Sequence, residues 1–183
     1  MELVKSVNTF LYPVGRLDVD TSGLLILTND GEFTKLMSHP SHEIEKTYVA
    51  VVRGRITATD LTALERGIEL EDGVTAPART RLVQASQQNV TSTVEIAIHE
   101  GRKRQVRRMF AVVGHRVEKL MRTHIGNVDA KGLREGEFRR LTKREISELK
   151  KMAVPGGAKS KRTGSSNPQR TEKPAPAPRR RRD

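Results

Sequence analysis

The chain has 183 residues and a formal net charge of +12 at pH 7, and its length favours one folded domain. It contains no cysteine, which excludes disulfides and cysteine-based metal sites, and no apolar run approaches the roughly 18 residues of a membrane span. We therefore expect a soluble protein of the cytoplasm whose partner is a polyanion such as nucleic acid.

The first predicted elements are a strand and a short helix. Residues 24–27 are four consecutive large apolar residues between turn-forming residues, a pattern typical of a strand buried on both faces. Asn29 and Glu32 have the spacing of a helix cap, and Pro40 ends the segment that they begin. The apolar face of this helix would consist of Phe33, Leu36 and Met37.

Two further strands and one helix follow. Residues 46–54 are rich in β-branched side chains, and residues 91–98 alternate between apolar and polar, so both segments are predicted strands. Between them Thr57 and Asp60 can cap a helix that ends near Gly67. Several strands with short helices between them predict an α+β fold, built on a largely antiparallel sheet.

Residues 100–114 change to a helical period. Val106, Met109, Phe110 and Val113 would form the buried stripe of a helix that Gly114 ends. The other side would present Arg104, Arg107 and Arg108. Arg102 lies four residues before Val106 and so falls on the buried stripe, where a guanidinium needs an anionic partner.

The last predicted helix precedes a change in composition. Thr142 and Glu145 form a capping pattern ahead of this helix. Residues 153–183 then contain nine Lys or Arg, two acids and five of the eight prolines, and we interpret them as a disordered basic tail. Because the tail carries +7 of the total charge of +12, about +5 remains on the predicted domain, residues 1–152.

The sequence argues against several kinds of site. Neither a nucleotide-binding glycine loop nor a zinc-type pair of histidines is present, so we expect no metal and no nucleotide cofactor. The five histidines are His39, His42, His99, His115 and His124. With only six Phe and Tyr residues the chain cannot build a platform that stacks many bases, so RNA recognition would depend on phosphates and shape.

Two neighbouring carboxylates are candidates for chemistry. Asp18 and Asp20 lie beside Arg16, and an aspartate that a guanidinium keeps ionised can act as a nucleophile at a sugar or base carbon. The alternative is that they are turn residues. For Asp20 we favour that alternative, with its side chain bonding the backbone of residues 21–23 in an Asx turn.

Three segments together resemble a known family. Residues 15–31, GRLDVDTSGLLILTNDG, are followed by KTY at 46–48 and EGRKRQVRRMF at 100–110. They are similar to the rRNA pseudouridine synthases of the small-subunit synthase A and large-subunit synthase B/E/F group. The resemblance runs from about Leu11 to Leu149, which is nearly all of the predicted domain. The long basic tail, and the absence of an insertion between the helix after Thr57 and the strand near Val94, favour the synthase B type of the large subunit.

The resemblance implies a fold and a mechanism. The fold is an α+β domain around a mixed, mostly antiparallel sheet with short flanking helices, and the enzyme uses no cofactor. Asp18 would be the nucleophile that isomerises a flipped-out uridine. Tyr48 would pack on the uracil and is a candidate for removing the C5 proton, and Arg102 would pair with Asp18. These enzymes usually carry an S4-like domain ahead of the GRLD block, and we expect this chain to lack it.

The implied substrate is ribosomal RNA, with 23S rRNA or a pre-ribosomal particle as the partner of a monomeric enzyme. One alternative is a non-catalytic RNA-binding or ribosome-assembly protein that keeps the fold. Another is a metal-dependent nuclease that uses both aspartates. Residues expected to contact RNA are Arg16, Arg104, Gln105, Arg107, Arg108, Arg116, Lys119 and Arg122.

Overall fold

The computed structural model describes residues 7–86, 88 and 90–153. The predicted disordered tail lies outside the described residues except for its first residue, Ala153. Ala153 is fully buried and caps the last helix, so the folded part includes at least this residue beyond the predicted boundary at 152.

Ten strands and four helices make up the described part. The strands are β1 Tyr12–Val14, β2 Ser22–Gly23, β3 Ile26–Thr28, β4 Lys46–Arg53, β5 Glu69–Leu70, β6 Gly73–Val74, β7 Arg79–Ala85, β8 Thr91–Ile98, β9 Val117–Ile125 and β10 Val128–Asp129. The helices are α1 Gly31–Ser38, α2 Ala58–Arg66, α3 Gln105–Val112 and α4 Lys143–Met152. A short 3-10 turn, Pro40–His42, follows α1.

Six strands form the main sheet. Its order is β10-β9-β4-β8-β7, and these neighbours are antiparallel, while β2 pairs in parallel with β9. The strands β1 and β3 form one small antiparallel pair, and β5 and β6 form another. The predicted mixed, mostly antiparallel α+β fold is therefore confirmed.

Two apolar clusters support the fold. The larger one packs the inner face of β4, β8 and β9 against α2 and α3, around residues such as Val52, Ile96 and Phe110. The smaller one joins α1 and α4 to β1, β3 and the end of β9, around residues such as Phe33 and Leu149. The sheet therefore has one face on which α3 covers part of β4 and β9.

The predicted helix caps at residues 57 and 142 are confirmed. The Thr57 hydroxyl accepts from the Asp60 amide and the Asp60 carboxylate accepts from the Thr57 amide, and Thr142 and Glu145 do the same. These caps could be predicted from the sequence because each depends on residues only three positions apart. For α1 the cap is Asp30, whose side chain accepts from the Phe33 amide, rather than the predicted Asn29.

The prediction of one buried strand at residues 24–27 was wrong. Only Ile26 and Leu27 belong to a strand, β3, which pairs with β1, while β2 ends at Gly23 and pairs with β9. Leu24 and Leu25 connect the two strands, and Leu25 is 37% exposed. The apolar run therefore crosses from one sheet to the other and is not buried on both faces.

No helix among the described residues is long and apolar enough to span a membrane.

Candidate active site

The loop of residues 15–21 joins β1 to β2 and carries both aspartates. Asp18 is half-buried, and its backbone carbonyl accepts a hydrogen bond of 2.9 Å from the Thr21 amide. Its carboxylate makes no hydrogen bond with any residue that the structure describes. The loop thus makes a tight turn and leaves the Asp18 carboxylate uncommitted.

Two arginines of the α3 segment hold the neighbouring carboxylate. The Arg104 guanidinium donates hydrogen bonds of 2.9 and 2.8 Å to Oδ1 and Oδ2 of Asp20. Arg107 donates to the backbone oxygen of Asp20, and its Nε lies 3.2 Å from Oδ2, close enough for an ion pair but not aligned as a hydrogen bond. The hydrogen bonds from Arg104 and the charge of Arg107 lower the pKa of Asp20.

The interpretation of Asp20 as an Asx-turn residue was therefore wrong. Its carboxylate bonds a guanidinium 84 residues away rather than the backbone that follows it. A bidentate arginine contact of this kind is stronger and more directional than a local turn bond. Asp20 consequently fixes the loop that carries Asp18 to the start of α3.

Arg122 attaches the other side of this loop to the sheet. Its Nε donates 2.8 Å to the Leu24 carbonyl and its Nη1 donates 3.2 Å to the Arg16 carbonyl, so one side chain bridges both ends of the loop. The Leu24 amide donates 2.8 Å to the Arg122 carbonyl. Arg122 is only 3% exposed, so it does not lie on the outer surface, where contacts with phosphates of RNA were expected.

Gly23 permits this close approach. Its φ is 108°, a conformation that residues with a Cβ rarely adopt. A Cβ there would lie 2.7 Å from the Arg122 nitrogen and closer still to the Arg122 carbonyl oxygen. The loop can lie on β9 only because this position has no side chain.

Tyr48 is the cross-strand neighbour of Arg122. The two residues pair in the register of β4 and β9, so their side chains lie on the same face of the sheet, about 5 Å apart at Cβ. Tyr48 is half-buried against the larger apolar cluster. The structure therefore places Tyr48 beside the residue that holds the Asp18 loop.

The predicted Asp18–Arg102 pair does not form among the described residues. Arg102 instead donates to the backbone carbonyls of Asp72, Gly73 and Val74, and it contacts the carboxylates of Asp72 and Glu100. The helical period of residues 100–114 placed Arg102 on the buried stripe of the helix, but α3 begins only at Gln105, after Arg104 at φ 50°. Arg102 lies before the helix, and Arg107 is the α3 side chain that reaches the aspartate loop.

The other residues predicted to contact RNA are either turned into the protein or exposed at its surface. Gln105 is 3% exposed and bonds Glu100 and the Arg102 amide, so its assignment to an RNA surface was wrong. Arg107, expected to face outward, has a side chain only 12% exposed. The Arg108 guanidinium donates two hydrogen bonds to the Asp72 carboxylate. Exposed at the surface are Arg16, Arg104, Arg116 and Lys119, of which Arg104 is paired with Asp20.

A basic hollow adjoins the aspartate loop. It is lined by Asp20, Arg53, Arg104, Arg107, His115, Arg116, Val117 and Glu118, among others. Arg53 and Arg116 meet there because the Arg53 amide donates 2.8 Å to the Arg116 carbonyl. The sequence did not identify Arg53 as part of this hollow, because its position at the end of a predicted strand does not show that it lies beside Arg116. The hollow has the charge and position to hold an RNA phosphate.

We expect Asp72 to titrate at unusually low pH. Hydrogen bonds from Arg108 and then Arg102 lower its pKa from 3.8 to about 2. A lowered pKa in the folded state means that the contribution of this carboxylate to stability is complete above about pH 3.8 and is lost as the pH falls toward 2. Carbon-detected NMR of the Asp72 carboxyl should therefore give a midpoint near 2.

The matched control for this titration is Arg108→Ala, in which the midpoint should move back toward 3.8. A midpoint near 3.8 in the unaltered protein would contradict the arginine contacts seen at this carboxylate.

In the part of the chain that the structure describes, no group of three or more His, Asp or Glu side chains is arranged to hold a metal ion.

Comparison with known proteins gives consistent matches. A family profile described as RNA pseudouridylate synthase matches residues 4–112. The chain is 48% identical over 155 residues to ribosomal large subunit pseudouridine synthase B of Bacillus subtilis (strain 168), covering 85% of this chain and 64% of that protein. It is 39% identical over 142 residues to ribosomal small subunit pseudouridine synthase A of Vibrio vulnificus (strain CMCP6), covering 76% of this chain and 59% of that protein.

A solved structure described as a pseudouridylate synthase also matches. Its TM-score is 0.70 at 39% identity, and the match covers 76% of this chain and 59% of that one. The chain therefore spans less than two thirds of the length of each of these relatives.

Proposed function

Because the chain belongs to the RNA pseudouridylate synthase family, we propose that it isomerises uridine to pseudouridine in ribosomal RNA, specifically in 23S rRNA. The observation that carries the proposal is the aspartate loop, which leaves the Asp18 carboxylate free while Arg104, Arg107 and Arg122 fix the loop around it. The similarity to the Bacillus large-subunit enzyme supports 23S rRNA as the substrate. We further propose a cytoplasmic monomer that needs neither a metal nor a nucleotide cofactor.

The chemistry begins by extruding the target uridine from its stack. Stacking on Tyr48 offsets part of the unstacking cost, which is a few kcal/mol. Asp18 then attacks C1′ of the ribose or C6 of the base, the N-glycosidic bond breaks, and the uracil turns. C5 bonds to C1′, and the bond from Asp18 to C1′ or C6 breaks with its electron pair returning to the carboxylate. Removal of the C5 proton by a general base completes the isomerisation. The reactants and product have the same atoms, so no second substrate is required.

Arg107 takes the role that the resemblance had assigned to Arg102. Its side chain is only 12% exposed, and it holds the backbone of Asp20, two residues along the chain from Asp18. A guanidinium there fixes the backbone beside Asp18, so the nucleophile is held in position. Arg102 would instead position the β5–β6 turn through its bonds to residues 72–74.

The test is tritium release from unmodified rRNA labelled at C5 of uridine, with and without excess EDTA. Release that the chelator leaves unchanged supports the isomerase. RNA binding without release would favour the non-catalytic RNA-binding protein, and chelator-sensitive cleavage of the RNA would favour the nuclease.

The basic hollow should contribute to RNA affinity. We expect Arg116→Ala to weaken binding of an rRNA fragment by roughly three- to tenfold, because one phosphate contact is lost. The slope of log affinity against log salt should become shallower by about 0.7 to 0.9. Fluorescence anisotropy over a salt series measures both quantities.

Arg144→Ala is the control for the hollow. Its side chain on α4 is 87% exposed and pairs only with Glu148 among the described residues. An equal loss of affinity in this variant would mean that the hollow has no special part in RNA binding.

A further inference from the structure

Two cations on neighbouring strands of the sheet, Arg122 and Lys46, have no carboxylate partner among the described residues. Arg122 of β9 is 3% exposed, and its Nη2 has no hydrogen-bond partner among the described residues. Lys46 of β4 is half-buried, and its Nζ donates 3.2 Å to the Ile44 carbonyl. Within residues 7–86, 88 and 90–153, neither cation forms an ion pair.

The sheet brings these two cations to one place. Lys46 and Tyr48 are two residues apart on β4, so both side chains lie on the face that Arg122 shares. Lys46 pairs with Ile125 and Tyr48 pairs with Arg122, with a bulge between the two pairs, so Lys46 and Arg122 lie diagonally across the β4–β9 pair. Burial and the nearby charge of Arg122 both lower the pKa of Lys46.

Such an arrangement is costly without an anion. Carbonyl oxygens of Arg16, Leu24 and Ile44 satisfy some of the donors but supply no net negative charge. Buried charges are normally paired, and two like charges in one buried region repel each other. The natural compensation is an anionic group that is present only when substrate is bound.

We infer that Lys46 and Arg122 form an anion-binding site for the negative charge that develops on the oxygens of the flipped uracil. This inference rests on the proposed function, since a base stacked on Tyr48 would lie directly beside both cations. Fixed cations aimed at a developing oxyanion in a water-poor site lower a reaction barrier efficiently.

The charge arises by either route of attack. When the bond from N1 to C1′ breaks, its electron pair stays on the uracil and delocalises onto O2 and O4. When Asp18 adds to C6 instead, the electron pair of the C5–C6 bond moves onto O4 as an enolate. In both cases C5 later returns an electron pair to C1′ and loses its proton to a general base. The bond from Asp18 to C1′ or C6 breaks with its electron pair returning to the carboxylate, so no oxidant or further reactant is needed.

The test compares Lys46→Met, which removes the charge at similar length, with Lys46→Arg, which keeps it. Single-turnover tritium release at saturating enzyme should fall by roughly 100-fold in Lys46→Met. RNA affinity should stay within about twofold, because the lost contact forms mainly as charge develops. Lys46→Arg should recover most of the rate. Lys35→Met, at an exposed position of α1, should behave as the unaltered protein.

Thermal unfolding distinguishes this role from a purely structural one, because replacing a lysine that stabilises the fold would lower the Tm. Because Lys46→Met removes an unpaired, desolvated charge, its Tm should equal or exceed that of the unaltered protein. A clear loss of Tm would overturn the inference, as would a Lys46→Met rate equal to that of the unaltered protein. Weaker RNA binding with an unchanged saturated rate would place Lys46 on a backbone phosphate and overturn it too.

Failure of the proposed function has a different signature. If the unaltered chain binds rRNA but releases no tritium, the isomerase itself is overturned, and the inference falls with it. If the unaltered chain releases tritium and only the Lys46 comparison fails, the isomerase stands and the inference alone is overturned.

Discussion

Replacing Asp18 by Asn is expected to abolish pseudouridine formation, with a rate at least about 10³-fold below that of the unaltered chain. The amide keeps the shape of the side chain but is not a nucleophile. Affinity for rRNA should be unchanged or slightly higher, because removing a negative charge favours a polyanion. Single-turnover mass spectrometry of the nucleosides, together with fluorescence anisotropy for binding, measures both effects.

Asp20→Asn is the matched comparison, since it alters the second carboxylate of the same loop. This change weakens the contacts with Arg104 and Arg107, so the loop is positioned less accurately but keeps its nucleophile. We expect a smaller loss of rate, roughly 10- to 100-fold. Full turnover by Asp18→Asn, or a greater loss in Asp20→Asn, would remove Asp18 from the central role.

Replacing Gly23 by Ala is expected to have the largest effect on the structure. The added Cβ would collide with the Arg122 backbone, and φ 108° is strained for any residue with a side chain. Strand β2 would separate from β9, and the loop would lose the support of Arg122. We expect the free energy of unfolding to fall by about 2–4 kcal/mol, as measured by urea denaturation, and pseudouridine formation to be lost.

Gly101→Ala is the control for this substitution. Nothing lies within 4 Å of a Cβ built at Gly101, and its φ is not in the left-handed range. Its free energy of unfolding should therefore change by no more than about 0.5 kcal/mol. If Gly23→Ala were as stable and as active as Gly101→Ala, the close contact between the loop and β9 would not exist in solution.

Local patterns predicted the fold where neighbouring residues determine it. The caps at Thr57 and Thr142 depend on residues three positions apart, and β8 alternates in burial because one face lies on the core. By contrast, β9 was missed. Its apolar residues are separated by charged ones, and bulges opposite residues 47–48 and 51–52 of β4 interrupt the period of two. Strand β7 is exposed along most of its length and has no apolar face to detect.

The site was predictable in its parts but not in its pairing. The motifs selected the Asp18 loop and Tyr48, and β4 and β9 place Tyr48 beside the residue that holds this loop. The resemblance named Arg102 as the arginine partner, and a helical period extended back to Arg102 agreed with it, whereas α3 begins only after the left-handed Arg104. A single residue with positive φ changes which arginine faces the loop, and sequence periodicity carries no signal for it.

The features of the site that the sequence did not predict depend on contacts between residues far apart in the chain. Lys46 and Arg122 are 76 positions apart, and only the pairing of β4 with β9 brings them together. Arg53 joins the basic hollow through a backbone bond to Arg116. Both features require the register of the sheet, which the sequence alone did not specify.

The most direct test is to map pseudouridine in unmodified 23S and 16S rRNA after incubation with the unaltered chain or with Asp18→Asn. Carbodiimide labelling followed by primer extension reports each pseudouridine as a stop. We predict a new stop in 23S rRNA with the unaltered chain and none with Asp18→Asn. No stop with the unaltered chain, or the same stop with both proteins, would contradict an isomerase whose nucleophile is Asp18.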